Sequence, residues 1–333
     1  MTDKSSTLDN LPMQLIAQLD KVAVFQTKAF ATNEAKPLVK NQQSQKALAS
    51  YGELNLGLHV NDDSKQVLSN RMRLLSAINS QLSLKHQSTI ASLHWVNQVH
   101  GNHIHIIDTK SACLNMQPLN ADAMVSQHGN VGLAIMTADC VPIALYQPAT
   151  GQIAAIHAGW QGLACGVIKA TFERFDSSKP IMAWIGACIS QANYEVDRQL
   201  LDKLRAGCTD NKLLDVSTLK DFELLFSRPS SVEIKLDDGR NNENKINSDD
   251  LYKSIDKLSN CATLSTDKVY ADKVKLNLPK LAAAQLNSLA IRVANDAAID
   301  CSYENSSYYS YRRQTHLQQP ATGRMALVIV RSR

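Results

Sequence analysis

Three short segments carry the side chains best suited to chemistry: Gln98-Val99-His100-Gly101, Thr137-Ala138-Asp139-Cys140 and His157-Ala158-Gly159-Trp160-Gln161-Gly162. Each sets a His or Cys where an apolar run gives way to glycine or a turn, so the side chain leaves a strand end and faces a cleft. Two imidazoles and one thiolate suit zinc, and three protein ligands leave a fourth position open for water or substrate. The intervals, 40 residues from His100 to Cys140 and 17 to His157, are not the short paired spacings of a zinc finger. The residues alone therefore leave three readings open: a metal site, a Cys140–His nucleophile pair, or ordinary packing. Asp139 is placed to orient a neighbouring group or a substrate hydroxyl, and equally to cap a turn. Arg71, Arg312, Arg313 and Arg324 are candidates for an anion, because guanidinium forks match phosphate oxygens; a surface or salt-bridged Arg is the alternative for each. Backbone N–H groups between Gly159 and Gly162 are a further candidate anion contact. His59, His103 and His105 have no motif beyond proximity, and Cys165 reads as packing.

These residues must be held by the elements around them. Asp62 and Asp63 can cap a helix whose apolar face would use Val67, Leu68, Met72, Leu75, Ile78 and Leu82, with Arg71 upon it. Strands are expected over Ile90 to Val99, His103 to Ile107, Val131 to Met136, Val141 to Tyr146, Ile153 to His157 and Ile181 to Ile185, separated by Gly, Asn and Pro. Leu15 to Ala23 reads as a short helix or a strand pair, and Asn41 to Lys46 as a loop. Leu163 to Phe175 is expected to be a helix, Asp197 to cap one running to Arg205, and Asn277 and Pro279 to open another through Ala290. A strand from Met325 to Val330 closes the pattern. Residues 208 to 266 turn polar, with Asp237-Asp238-Gly239-Arg240-Asn241-Asn242 as a surface turn, and read as an insertion. Strands and helices mix without strict βαβ alternation, which points to an α+β fold with mixed sheet layers flanked by helices. The expected division is an N-terminal segment, 1–50, and a single domain, 51–333, with the polar insertion at about 208–266.

Of the 333 residues, 44% are hydrophobic and 20% charged, enough for a sizeable core. The net charge of +4 comes from scattered Lys and Arg rather than from a basic stripe, which argues against a nucleic-acid partner. No window has the apolar length to cross a bilayer, and Met1 to Asn10 lacks the apolar stretch of a secretory signal. Seven irregularly spaced cysteines are unlike a disulfide framework and fit a reducing cytoplasm.

Together with Asn120-Ala121-Asp122-Ala123, Ser310-Tyr311-Arg312-Arg313 and Thr322-Gly323-Arg324, the three segments resemble the YfiH or "laccase domain" family. The resemblance runs from the Leu54-Asn55-Leu56-Gly57-Leu58-His59-Val60-Asn61-Asp62-Asp63 stretch to Ile329, and the combination of motifs is specific. It implies a zinc-dependent purine nucleoside phosphorylase with adenosine deaminase activity, from a family once labelled multicopper polyphenol oxidase. Its partners would be a purine nucleoside and inorganic phosphate, and the chain would be a monomer or weak homodimer. Carried over by position, the metal ligands are His100, Cys140 and His157. Cys140, Asp139 and Arg313 are the expected catalytic residues, and Arg71, Arg312 and Arg324 the expected substrate or phosphate contacts. Ser69-Asn70-Arg71 also matches. Thr27-Lys28-Ala29-Phe30-Ala31-Thr32 departs from the family's Thr-Arg-Gly-Gly-Val-Ser. A Cys140 hydrolase editing peptidoglycan precursors stays open as a rival. A copper oxidase finds only His103-Ile104-His105 in the required His-X-His form.

Overall fold

The computed structural model describes residues 11–30, 49–108, 118–233, 245–247 and 272–333. Two β-sheets face each other, and helices cover both outer faces. The first sheet runs β1 (Met13–Gln18), β2 (Val22–Thr27), β16 (Met325–Arg331), β6 (Val131–Thr137) and β3 (Ser92–His94); only the β6–β3 pair is parallel. The second runs β15 (Arg292–Val293), β9 (Met182–Ile185), β7 (Val141–Gln147), β8 (Gln152–Ala158), β5 (Ala123–Ser126) and β4 (Ile104–Ile107), parallel at its two edges and antiparallel between.

Side chains alternate across each strand, so every central strand must serve two apolar surfaces. Val22, Val24, Leu133, Ile135, Leu327 and Ile329 face the second sheet and meet Met124, Ala144, Ile153, Ala155 and Trp184. Ala23, Phe25, Ala134, Met136, Ala326 and Val328 face outward, onto α1 (Ser64–Leu84). The second sheet's outer face, with Ile143, Leu145, Ala154 and Ile156, is covered by α2 (Trp160–Cys165), α3 (Val167–Phe172), α4 (Arg198–Asp210), α6 (Phe222–Phe226) and α7 (Leu278–Ser288). Burial on both faces is why these strands read as continuous apolar runs. The α+β expectation holds.

Several local expectations change. The N-terminal pair is two strands, β1 and β2, so this part of the 1–50 segment is integral to the first sheet. α1 is capped by Asp63, whose carboxylate accepts from the Lys65 N–H at 2.9 Å, but it buries Val67, Asn70, Leu74, Ala77, Ile78 and Leu82. Leu68 and Met72 are exposed, at 50% and 73%. The expected strand at Ile90–Val99 shortens to β3, because Val96 to Gly101 is drawn off to build the site. The expected helix at Leu163–Phe175 breaks at Gly166, which takes φ +82° between α2 and α3. Asp197 precedes α4 without a side-chain capping bond. Residues 208–229 are not a polar excursion: they include α5 (Val216–Lys220), α6 and β11 (Ser227–Pro229), and bury Cys208, Leu213, Phe222 and Phe226 in the main core. β11 and β10 (Glu195–Asp197) flank β14 (Lys273–Leu276) in a small antiparallel sheet. β12 (Ser231–Glu233) pairs with β13 (Lys245–Asn247). The remaining insertion and the Asn41–Lys46 loop lie outside the described residues.

The corrected face of α1 gives a direct check. Leu74→Ala, at a fully buried position, should cost about 2–5 kcal/mol, and Met72→Ala no more than about 0.5 kcal/mol. Urea denaturation midpoints of the two variants measure the contrast, and similar losses would refute the assignment.

Candidate metal centre

β6 ends at Thr137 and the chain turns through Ala138 and Asp139 to reach Cys140 at the head of β7. His157 stands on β8, with Pro142 of β7 as its register partner. The two antiparallel strands therefore bring Cys140 and His157 to one end of the second sheet. His100 arrives on an irregular loop. Gln98 anchors that loop by pairing with the β6 backbone like a strand, donating to the Met136 carbonyl at 2.7 Å and accepting from the Met136 N–H at 2.8 Å. His100 itself takes φ +62°, a left-handed conformation unusual for a residue with a Cβ.

The Asp122 carboxylate holds this geometry together. It is fully buried, accepts from the His100 N–H at 2.8 Å and the Gly101 N–H at 2.6 Å, and takes a 2.9 Å hydrogen bond from His157 Nδ1. Its backbone carbonyl also accepts from the His157 N–H at 2.7 Å. Burial alone would raise its pKa, but the hydrogen bonds from His157, Gly101 and His100 hold it below the usual carboxylate value. With Nδ1 occupied as donor, His157 is fixed in the tautomer that leaves Nε2 as a lone-pair ligand.

The ligand atoms of His100, Cys140 and His157 all lie within 4.8 Å of one another, and among the described residues no other His, Cys, Asp or Glu cluster could hold a metal ion. A Cβ at Gly159 would stand 3.1 Å from both Cys140 Sγ and His100 Cδ2, so glycine lets the chain pass beneath the donors. Burial would push the Cys140 thiol up, but His157 and His100 pull it down to about 6. Burial would lower His157, and the Cys140 and Asp122 charges instead lift it to about 9. Cys140 is thereby favoured as the thiolate, the form in which it would bind a metal.

The other expected site residues divide into two groups. Arg71 and Arg324 flank the turn Asn55 to Val60. Arg71 donates from Nε and Nη2 to the Leu56 carbonyl, at 3.0 and 2.8 Å, and its guanidinium lies 4.2 Å over the Trp95 ring. Burial pushes it down to about 10. Arg324 uses Nη1 on the Thr322 and Gly323 carbonyls at 3.2 and 3.0 Å. Burial lowers it too, against the opposing pull of Cys140, Asp139 and Tyr311.

Arg312 and Arg313 meet other carbonyls. Arg312 donates to the Glu195 carbonyl at 2.6 Å and lies over Tyr194. Arg313 is spent on the Ser302, Tyr303 and Tyr308 carbonyls, so it holds the loop ahead of α8 (Tyr311–His316) and does not reach the donors. Asp139 is likewise engaged: it accepts from Ser302 Oγ and the Arg312 N–H, both at 2.7 Å. Burial raises its pKa despite these bonds. With φ at +111°, Asp139 carries the strain of the turn that presents Cys140.

His103 and His105 stand outside the metal-capable group. Asp122 is the residue of the centre that sequence reasoning passed over. Asp122 was visible only as part of Asn120-Ala121-Asp122-Ala123.

A mixed-sheet α+β protein with one two-histidine, one-cysteine metal-capable centre is the class this fold and site define. Residues 38–237 and 241–332 match the family described as multi-copper polyphenol oxidoreductase laccase, and the chain belongs to that family. It is 34% identical over 161 residues to purine nucleoside phosphorylase YfiH of Escherichia coli, covering 48% of this chain and 61% of that protein. It is also 34% identical over 160 residues to a purine nucleoside phosphorylase of Pseudomonas aeruginosa, covering 48% of this chain and 59% of the other. The alignments thus span about three fifths of these relatives' length. The fold is shared with the Neisseria meningitidis protein NMB0706 at TM-score 0.63 and 22% identity, over 97% of this chain and all (100%) of that one. Bacillus licheniformis YfiH gives TM-score 0.62 at 22% identity, with 98% of both chains covered. Among the described residues no helix is long and apolar enough to cross a membrane.

Asp122→Asn keeps the size of the side chain but removes the charge that orients His157 and the His100 loop. Affinity for a divalent transition metal should fall about 10–100-fold, read by competition with a chromophoric chelator. An affinity equal to wild type would show that Asp122 plays no part in the centre.

Proposed function

We propose that the chain is a zinc-dependent purine nucleoside phosphorylase with adenosine deaminase activity, a reading carried by the His100–Cys140–His157 group with Arg71 and Arg324 beside it. The relatives' names support the reaction class, and the donor set supports the metal. A zinc ion fits two imidazoles and a thiolate with one tetrahedral position left open, and when bound it supplies Lewis acidity there. The protein's own part is orientation and charge. Inorganic phosphate would attack C1′ of the nucleoside, the C1′–N9 bond would break, and free base and ribose 1-phosphate would leave. Phosphate needs cationic forks, and among the described residues the Arg71 Nη1 and the Arg324 Nε and Nη2 face no protein acceptor, so donors remain for an anion. Leu58, Val99 and Tyr311 are exposed at 38%, 43% and 58% and adjoin His59, His100 and Arg312, which makes them candidates to cover the flat base.

Incubation of purified protein with adenosine or inosine, with and without phosphate, tests this by mass spectrometry. Ribose 1-phosphate and free base should appear only with phosphate, and adenosine should also yield inosine. His100→Ala, Cys140→Ser and His157→Ala should each lose zinc and turnover together. Arg71→Met should raise KM for phosphate about 10–100-fold, the worth of one charge-assisted hydrogen bond. Free ribose in place of ribose 1-phosphate would replace phosphorolysis with hydrolysis.

The low thiol pKa of Cys140, with Sγ 3.9 Å from His100 Nε2, favours one second reading, a cysteine hydrolase acting on amides such as peptidoglycan precursors. A thiolate committed to a metal should resist iodoacetamide until a chelator is added, as peptide mapping would show. Fast labelling of Cys140 in metal-loaded protein would favour the hydrolase.

A further inference from the structure

Cys188 and Cys301 are far apart in the chain but face each other across an isolated parallel β-bridge. The Cys188 N–H donates to the Asp300 carbonyl at 3.2 Å, and the Cys188 carbonyl accepts from the Ser302 N–H at 3.0 Å, so Cys301 is the residue directly opposite Cys188. Bridged backbones stand about 4.7–4.9 Å apart, inside the range of about 4.4–6.8 Å between Cα atoms that a disulfide spans. Register partners also send their side chains to the same face of the pair. The Cys301 sulfur already leans over the segment that carries Cys188: its Sγ accepts from the Ser190 N–H at 3.3 Å and from Asn193 Nδ2 at 3.4 Å. Both residues are free thiols.

The two sulfurs differ in access. Cys188 is 1% exposed and belongs to the main core, whereas Cys301 is half-buried. An accessible thiol beside a buried partner is the arrangement in which oxidation of the first is resolved by the second. The bridge also reaches the metal-capable centre. The Ile189 N–H donates to the Asp139 carbonyl at 2.9 Å, and Ser302 Oγ donates to the Asp139 carboxylate at 2.7 Å. The residue that follows each cysteine therefore grips Asp139, whose turn presents Cys140.

We propose that Cys188 and Cys301 form a reversible disulfide, made by reaction with a hydroperoxide, that ties together the two segments holding Asp139. Cys301 Sγ attacks one peroxide oxygen and the O–O bond breaks. The thiol proton goes to the departing oxygen, which leaves as water or an alcohol, and Cys301 becomes the sulfenic acid. Cys188 Sγ then attacks the Cys301 sulfur, the S–O bond breaks, and the oxygen takes the Cys188 proton and leaves as water. The two electrons lost by the sulfurs are those that reduce the peroxide. A dithiol reverses the bond by exchange. The link would brace the Cys140 turn whichever reaction the centre performs.

The test treats metal-loaded full-length protein with graded hydrogen peroxide, blocks remaining thiols with iodoacetamide after denaturation, and maps peptides without reductant. Wild type should yield a Cys188–Cys301 linked peptide that dithiothreitol returns to two thiols. In Cys188→Ala the resolving thiol is gone, so Cys301 should instead be trapped by dimedone as its sulfenic acid. After identical peroxide treatment the thermal midpoint of wild type should stand above that of Cys301→Ser by on the order of 5 °C, with no such gap before treatment. Cys301 carried to the sulfinic acid in wild type while Cys188 alkylates as a free thiol overturns the pairing, as does a link from Cys301 to any other cysteine. Two free thiols at excess peroxide also overturn it. A linked peptide with no gain in thermal midpoint overturns the bracing role. The wild-type map decides the pairing even where a variant folds poorly.

Discussion

The centre depends on one buried carboxylate. Asp122 joins three pieces of chain that local structure would leave apart: the left-handed turn at His100, the glycine after it, and the imidazole on β8. A buried carboxylate costs several kcal/mol unless its lone pairs are matched. Here the matching donors are the backbone and side chain of the residues that must converge, so the charge is stable only when the site is assembled. The same interaction sets the His157 tautomer and lifts its basicity, which in turn draws the Cys140 proton away. Geometry and electrostatics of the donor group therefore have a common origin.

The sheets explain why ligands 40 and 17 residues apart meet. β7 and β8 are adjacent and antiparallel, so the residue entering β7 and a residue near the end of β8 must share one end of the sheet. The β6 strand belongs to the other sheet, and its connection to β7 crosses between the layers at the same end. Asp139 sits in that crossing with φ outside the ordinary range, held by Ser302 and the backbone of Arg312. The strain is located beside a ligand, and residues from a distant loop stabilise it. That gives Ser310-Tyr311-Arg312-Arg313 its place in the motif set: the segment braces the turn.

What the sequence made legible follows from this. His100, Cys140 and His157 stood out because strand exits ending in Gly or a turn are local signals. Asp122 did not, because an Asp ahead of a strand is usually a turn cap, and its partners lie 21 to 35 residues away. The four arginines looked alike because sequence cannot say which carbonyls a guanidinium meets; the fold ties each of them to a different set of backbone carbonyls. The apolar face of α1 was misphased because Leu68 and Met72 form a helical pair of their own, one step away from the face of Val67, Leu74, Ile78 and Leu82. Residues 208–229 looked like insertion because Phe222 and Phe226 are sparse among polar neighbours, although their spacing of four already put both on one helical face.

The distribution of charge carries the functional argument further than the donor group does. Arg71 is drawn well below the ordinary arginine value by burial, with no carboxylate in contact with it among the described residues. Its compensation is one carbonyl and the face of Trp95, a cation–π contact worth about 0.5–2 kcal/mol. Arg324 is also buried against carbonyls. Among the described residues no acidic side chain is in contact with either guanidinium; both donate to backbone carbonyls. An anion bound at either guanidinium would supply the pairing that carbonyls alone do not, in a partly dry setting where each charge-assisted hydrogen bond is strong.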